Sequence, residues 1–259
     1  MMRGRLRERF RARTRRSPWE SIVGRGVPER LQQTDRRVLM GTSVGGHPLA
    51  PLLDSIVGVA LWLRGADVRF LLCNAALPAC EHVTIGIFQT PEQFMRRGPQ
   101  ARACGSCFGR GSTYFAPLPI PVNRYRDFTS AAEAAAVADA VNRLSTADCF
   151  AYELDGMRLG EQARSNTLRF FGNAALEAED PHVALNVARR SLGAALLTAR
   201  VASSAFERHQ TECVVAHHGV YVPQGALGEA ARRHGVRVVN WAAGGPAIAR
   251  MLKARLPGF

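Results

Sequence analysis

The stretch Val214-Val215-Ala216-His217-His218-Gly219-Val220-Tyr221-Val222-Pro223-Gln224-Gly225 decides how this chain is read. A short apolar run ends in two histidines and a glycine, then passes through Pro-Gln-Gly into a segment of helical spacing. A strand of a parallel sheet is covered on both faces and so reads as a continuous apolar run. Polar residues at its carboxyl end lie where open α/β sheets bind ligands. The same succession occurs near the start, where Arg37-Val38-Leu39-Met40-Gly41-Thr42 runs into Ser43-Val44-Gly45-Gly46-His47-Pro48. Two strand-to-histidine loops, far apart in sequence, are expected to share one cleft.

Outward from these two anchors, the rest of the pattern alternates helix and strand. Leu49, Leu52, Leu53, Ile56, Val59, Ala60 and Leu63 recur at helical spacing over 49–64, and Asp67 to Leu72 reads as a second buried strand. That is a βαβ unit, which favours a parallel sheet. Helices are expected over Thr129–Leu144, with Thr129 or Ser130 as N-cap, then over Gly160–Phe171, Pro181–Arg208 and Gly225–His234. Further strands are expected at Cys213–Ala216 and Val236–Asn240. The expected fold is therefore α/β, a Rossmann-like parallel sheet with helices on both faces. Residues 73–122, with four cysteines and Pro117, Pro119 and Pro121, read as a Cys-rich irregular insert. The expected layout is an Arg-rich disordered arm over 1–35, one domain over 36–241 and a short tail over 242–259.

Composition narrows the classes. The chain has 259 residues, 47% of them hydrophobic, enough for a substantial core. No apolar run reaches the ~18 residues of a spanning helix, and the N-terminus lacks the apolar core of a secretory signal. A cytoplasmic protein is expected, at most one that visits the inner face of a membrane. The formal charge of +13 is concentrated in Arg3, Arg5, Arg7, Arg9, Arg11, Arg13, Arg15 and Arg16. Such an arm attracts nucleic acid, anionic lipid or a phosphorylated substrate, or is simply a solvated extension. Aromatic residues do not interleave with the arginines as stacking platforms require, so specific nucleic-acid binding is not expected.

Two constellations can carry chemistry. Cys104-Gly105-Ser106-Cys107 has the spacing that lets two thiolates reach one tetrahedral zinc, and Cys73 and Cys80, with His82 nearby, could complete it. A redox pair and a set of buried free thiols are the alternatives. The second constellation is His47, His217 and His218, placed after strands, where imidazoles serve as general bases or as satisfied structural groups. Gly45, Gly46 and Gly219 would let a ligand approach the backbone. The Gly45-Gly46 turn looks like a phosphate cradle, although the full dinucleotide fingerprint is missing. Gln224 and Gly225 at a helix start would offer free backbone N–H groups to a phosphate or carboxylate. Glu161 and Arg164 read either as an intrahelical pair or as cleft-lining groups.

Taken in order, these residues resemble the N-terminal region of bacterial surface-polysaccharide glycosyltransferases, described as capsule polysaccharide biosynthesis proteins. The likeness rests on the Gly45-Gly46-His47 loop, on Leu72 to Cys80, on Cys104 to Cys107, on Leu118-Pro119-Ile120-Pro121 with Arg124-Tyr125, and above all on His217 to Gly225. It covers roughly residues 36–241. The resemblance implies the acceptor-side domain of a two-domain GT-B enzyme that needs no metal for transfer. His47 would then be a base or acceptor contact, and His217, His218, Tyr221 and Gln224 would line an interdomain cleft. The implied partners are a nucleotide-sugar and a glycan or lipid-linked acceptor. A second Rossmann-like domain would be expected after Trp241. Where the chain instead ends, a binding module or a remnant completed by a partner chain is the alternative.

Overall fold

A computed structural model describes residues 17–26, 33–47, 49–84, 90–99 and 103–242. Five strands, β1 (Arg37–Ser43), β2 (Asp67–Leu72), β3 (Val122–Arg124), β4 (Cys213–His217) and β5 (Arg237–Trp241), form one sheet in the order β3-β2-β1-β4-β5. Every pairing is parallel. The chain therefore winds outward from β1 through β2 to β3, then returns to the other side of β1 for β4 and β5. The connections leaving β1 and β4 part in opposite directions, which makes the gap between their carboxyl ends the switch point of a doubly wound sheet.

Helices cover both faces. Because strand side chains alternate, Leu39, Leu71, Val214 and Ala216 point into one core. That core is shared with α7 (Leu159–Phe171), α8 (Pro181–His209) and α9 (Gln224–Arg233). Met40, Val68, Phe70, Leu72 and Val215 point into the other, with Val59 and Trp62 of α2 (Ala50–Leu63) and Phe115 of α4 (Cys104–Phe115). Helix α8 is the spine of the first layer, about 44 Å long at 1.5 Å per residue. Pro181 occupies its first turn, and Asp180 accepts from the N–H groups of His182 and Val183 at 2.8 and 3.2 Å.

The strands and long helices lie within three residues of their expected bounds, and α5 (Ala131–Val141) starts at a Ser130–Glu133 capping box. Two expectations are corrected. The insert over 73–122 is not irregular: it holds α3 (Pro91–Arg97), α4 and the edge strand β3. Glycines at 105, 109 and 111 hide α4 in the sequence, because glycine is a poor helix former. The expected arm over 1–35 does not hold for residues 17–26, which contain α1 (Glu20–Val23) and dock on the domain. Ser17 Oγ donates to Tyr114 O at 2.7 Å, and Trp19 Nε1 donates to Ser55 Oγ at 2.9 Å. The arginine-rich 1–16 and the tail beyond Ala242 lie outside the described residues. Finally, a short helix the sequence did not announce, α6 (Thr146–Phe150), precedes α7. Among the described residues, no helix is long and apolar enough to cross a membrane.

Candidate functional site

The two histidine loops meet at the switch point. Loop β1–α2 carries His47 and loop β4–α9 begins at His217, and their rings lie 4.6 Å apart between centroids. His217 in turn lies 4.1 Å from the ring of His218 and 4.5 Å from Trp241, the last residue of β5. Three adjacent strand ends, β1, β4 and β5, thus deliver one row of rings.

Backbone geometry explains the Gly219 position. His218 and Gly219 both take positive φ, 32° and 72°, as the chain turns off the sheet. The positive φ favours glycine at 219, and a Cβ there would also push the Asn240 side chain, 2.5 Å away. His218 N–H donates to Trp241 O at 2.7 Å, which ties this loop to β5.

The hub of the site is Glu81, which the sequence reading did not single out. Its Oε2 accepts from His218 Nε2 at 2.5 Å and its Oε1 from Gln224 Nε2 at 2.8 Å. Its backbone N–H donates to Val222 O at 2.8 Å and its carbonyl accepts from Arg169 Nε at 2.9 Å. The side chain is only 2% exposed. A signal was present: Glu81 is the only acid between Asp67 and Glu92, and it follows β2, whose end lies on the same sheet edge. Burial pushes its carboxyl up, but the hydrogen bond from His218, helped by the neighbouring imidazoles of His217 and His47, holds it below the ordinary carboxylate value.

Hydrogen bonds fix the imidazoles. His47 Nδ1 accepts from the N–H groups of Leu49 and Ala50, so it caps the start of α2 and its proton sits on Nε2. His218 Nδ1 accepts from Val220 N–H at 3.1 Å, leaving Nε2–H to face Glu81. His217 differs from both: it is 8% exposed and its Nδ1 has no hydrogen-bond partner. Burial lowers the pKa of His47 and His82, and that of His217 to about 4, with the neighbouring His218 adding to the effect at His217. His217 is therefore a neutral imidazole with an open lone pair or proton.

Gln224 Oε1, beside Glu81, is likewise buried without a partner, and Thr42 lies against the buried Asp54 carboxyl. Asp54 also accepts from Trp241 Nε1 at 2.7 Å. Buried polar atoms without partners are rare, and two of them, on His217 and Gln224, belong to side chains next to Glu81. Compared with protein-family models and with curated proteins, the chain matches none of them.

Several expected contributors have other work. Gly45 and Gly46 are packed against their neighbours: a Cβ on Gly45 would lie 2.7 Å from Gly111 Cα and one on Gly46 2.9 Å from His82 Nε2, and Gly46 N–H donates to Cys107 Sγ. Their smallness lets α4 lie against the loop. Gly225 likewise makes room for Gln162, and its N–H already donates to Tyr221 O at 2.7 Å. Gln224 is buried and serves Glu81, so the start of α9 does not present an anion site. Glu161 pairs with Arg158 at 3.3 Å rather than with Arg164, and both Glu161 and Arg164 are exposed. The residue of that helix that reaches the site is Arg169, whose guanidinium carbon lies 4.6 Å over Tyr221. Tyr221 meets His218 edge-on at 5.1 Å.

The cysteines form a looser neighbourhood. Cys104 and Cys107 lie on α4, and Cys107 Sγ accepts from Gly46 N–H at 3.1 Å. Burial, together with neighbouring thiols, pushes Cys104 up to about 12 and Cys107 up to about 11, and it also raises Cys73 and Cys80. These are protonated thiols, not the activated thiolates of a redox pair, even though Cys104 opens a helix. Among the described residues, the side chains close enough to share one ion are Glu81, His217 and His218, not the four cysteines.

Proposed function

We propose that this chain is the acceptor-side domain of a GT-B-type glycosyltransferase of bacterial surface-polysaccharide assembly. The observation that carries the reading is the meeting of His47, His217 and Trp241 over the switch point of a parallel sheet. That edge offers a fixed N–H donor on His47, an unpartnered nitrogen on His217 and a flat aromatic surface on Trp241. A sugar needs these three things: partners for its hydroxyls and an apolar platform for its C–H face. Two of the residues that supply them, His47 and His217, fall in the stretches on which the resemblance to this family rests.

In the reaction, an acceptor hydroxyl attacks the anomeric carbon of a nucleotide-sugar. A new C–O bond forms as the bond to the diphosphate breaks, the electron pair leaves with the diphosphate, and the hydroxyl proton passes to His217. His47 donates to the acceptor from the other side. The second reading, a glycan-binding module without turnover, is favoured by the lowered pKa of His217. An imidazole titrating near 4 holds a hydroxyl better than it takes a proton.

The test is a glycan array followed by turnover assays with a panel of nucleotide-sugars. The glycosyltransferase reading predicts saturable glycan binding, weakened at least ~10-fold by His217→Ala, together with release of nucleoside diphosphate. Binding without release selects the module. No glycan binding, with the fold intact by circular dichroism, removes both.

A further inference from the structure

We propose that Glu81, His217 and His218 bind a divalent transition-metal ion, with zinc the best match. Their ligand atoms all lie within 4.8 Å of one another. Two imidazoles and one carboxylate form the donor set of zinc sites that keep an open position, and they suit other divalent first-row metals as well. A tetrahedral ion at about 2.0–2.1 Å from each donor needs donor–donor separations of ~3.4 Å, so small side-chain movements close the set.

Three further observations point to a ligand here. His217 is more than nine-tenths buried, yet its Nδ1 has no partner, although a buried polar atom is costly to leave unmatched. Glu81 is held from outside the group, by Gln224 on its other oxygen and by Arg169 and Val222 through its backbone. Outer hydrogen bonds of this kind orient metal ligands. The strained positive φ of His218 is the third, a kind of backbone outlier that gathers at ligand clamps.

Proton accounting closes. The ion takes the place of the proton between His218 Nε2 and Glu81. The imidazole moves that proton to Nδ1, and the exposed Val220 N–H turns to water. His47 is a neighbour and not a ligand, because it lies outside the group whose ligand atoms come within 4.8 Å of one another, and its Nδ1 caps α2. The site goes beyond the glycosyltransferase reading and does not rest on it. If both hold, the acceptor oxygen meets the ion in place of the bare His217 nitrogen.

The experiment is titration of the full chain, stripped of metal and reduced, with cobalt(II), and displacement by zinc. The expected result is one equivalent of cobalt with visible ligand-field bands and no thiolate charge-transfer band in the near ultraviolet. His217→Ala should lose binding at least ~100-fold and Gln224→Leu ~10–100-fold. Should His217→Ala fail to fold, His217→Gln replaces it, and the cobalt spectrum of the unaltered chain stands alone as a test. Three outcomes overturn the proposal: no saturable binding near one equivalent, a thiolate charge-transfer band lost on Cys104→Ser, or full binding by a folded His217 variant. No sugar enters these measurements, so failure of glycan binding leaves them unaffected.

Discussion

Two clusters of chemistry-bearing residues sit at the carboxyl side of this sheet, and they behave differently. The histidines arrive from loops 170 positions apart, His47 to His217, and converge into a set tight enough to share a ligand. The cysteines have the more suggestive local spacing, with Cys104 and Cys107 three apart, and do not converge in that way. The difference lies in what positions them. His47 and His217 leave adjacent parallel strands whose ends are fixed by the β1–β4 register, Val38 with Cys213 through Met40 with Val215. Cys73 and Cys80 follow β2 in a loop, while Cys104 and Cys107 ride on a helix that packs through Gly45 and Gly111. Strand ends at a switch point make a site, whereas a spacing motif makes one only if its scaffold closes around it.

The sharpest way to break this comparison is to remove the hub of the first cluster. Glu81→Leu leaves the half-buried His218 and the buried Gln224 without their acceptor, and should cost about 2–5 kcal/mol. Urea unfolding measures it, and a loss under about 1 kcal/mol would show that the histidines hold their places without Glu81. Next in size is the packing of the second cluster's helix. Gly111→Val would drive side-chain atoms into Gly45 Cα, which lies 2.8 Å from a Cβ there, and should cost about 1–3 kcal/mol. An unchanged midpoint would mean that α4 does not lean on the β1 loop.

A third prediction uses pH. Burial pushes the carboxyl of Asp54 up from 3.8 to about 6, against the hydrogen bonds from Thr42 and Trp241. The folded chain therefore holds this proton where the unfolded chain has already released it, so stability falls as pH rises from ~4 to ~6 and stays lower above that. Two units correspond to at most about 3 kcal/mol. Asp54→Asn should be more stable than the unaltered chain at pH 7.5, by about 1–3 kcal/mol, and no more stable at pH 4. Equal effects at both pH values would place the carboxylate in water. The smallest effect belongs to the thiols: Cys104→Ser with Cys107→Ser should change stability by about 1 kcal/mol or less and leave metal stoichiometry unchanged.

Much of this architecture is legible in the sequence, for physical reasons. Asp67–Leu72 can be read because a strand covered on both faces has no polar alternation, and the start of α5 because Ser130 and Glu133 complete a local capping box. The two histidine loops are legible for the same reason: a strand's end is marked where its apolar run stops. Glu81 is not legible, because its partners His218 and Gln224 lie about 140 positions away and only the sheet brings them together. Helix α4 is not legible either, since its glycines make a weak local signal and its stability comes from contact with Gly45 and Leu72. Gln224 and Gly225 look like an open helix start, and it is Glu81 and Gln162 that close it.

The central claim is that His47, His217 and His218 belong to one site. Long-range 1H–15N spectra of the histidine side chains test it most directly, recorded as one equivalent of zinc is added to the metal-free chain. The account predicts that His217 and His218 move to the metal-bound range and that His47 shifts with them while keeping its proton on Nε2. The exposed His182 and His234 should stay in place. If zinc moves His217 while His47 does not respond, the two loops do not form one site, and if zinc leaves both His217 and His218 unmoved, the metal site falls.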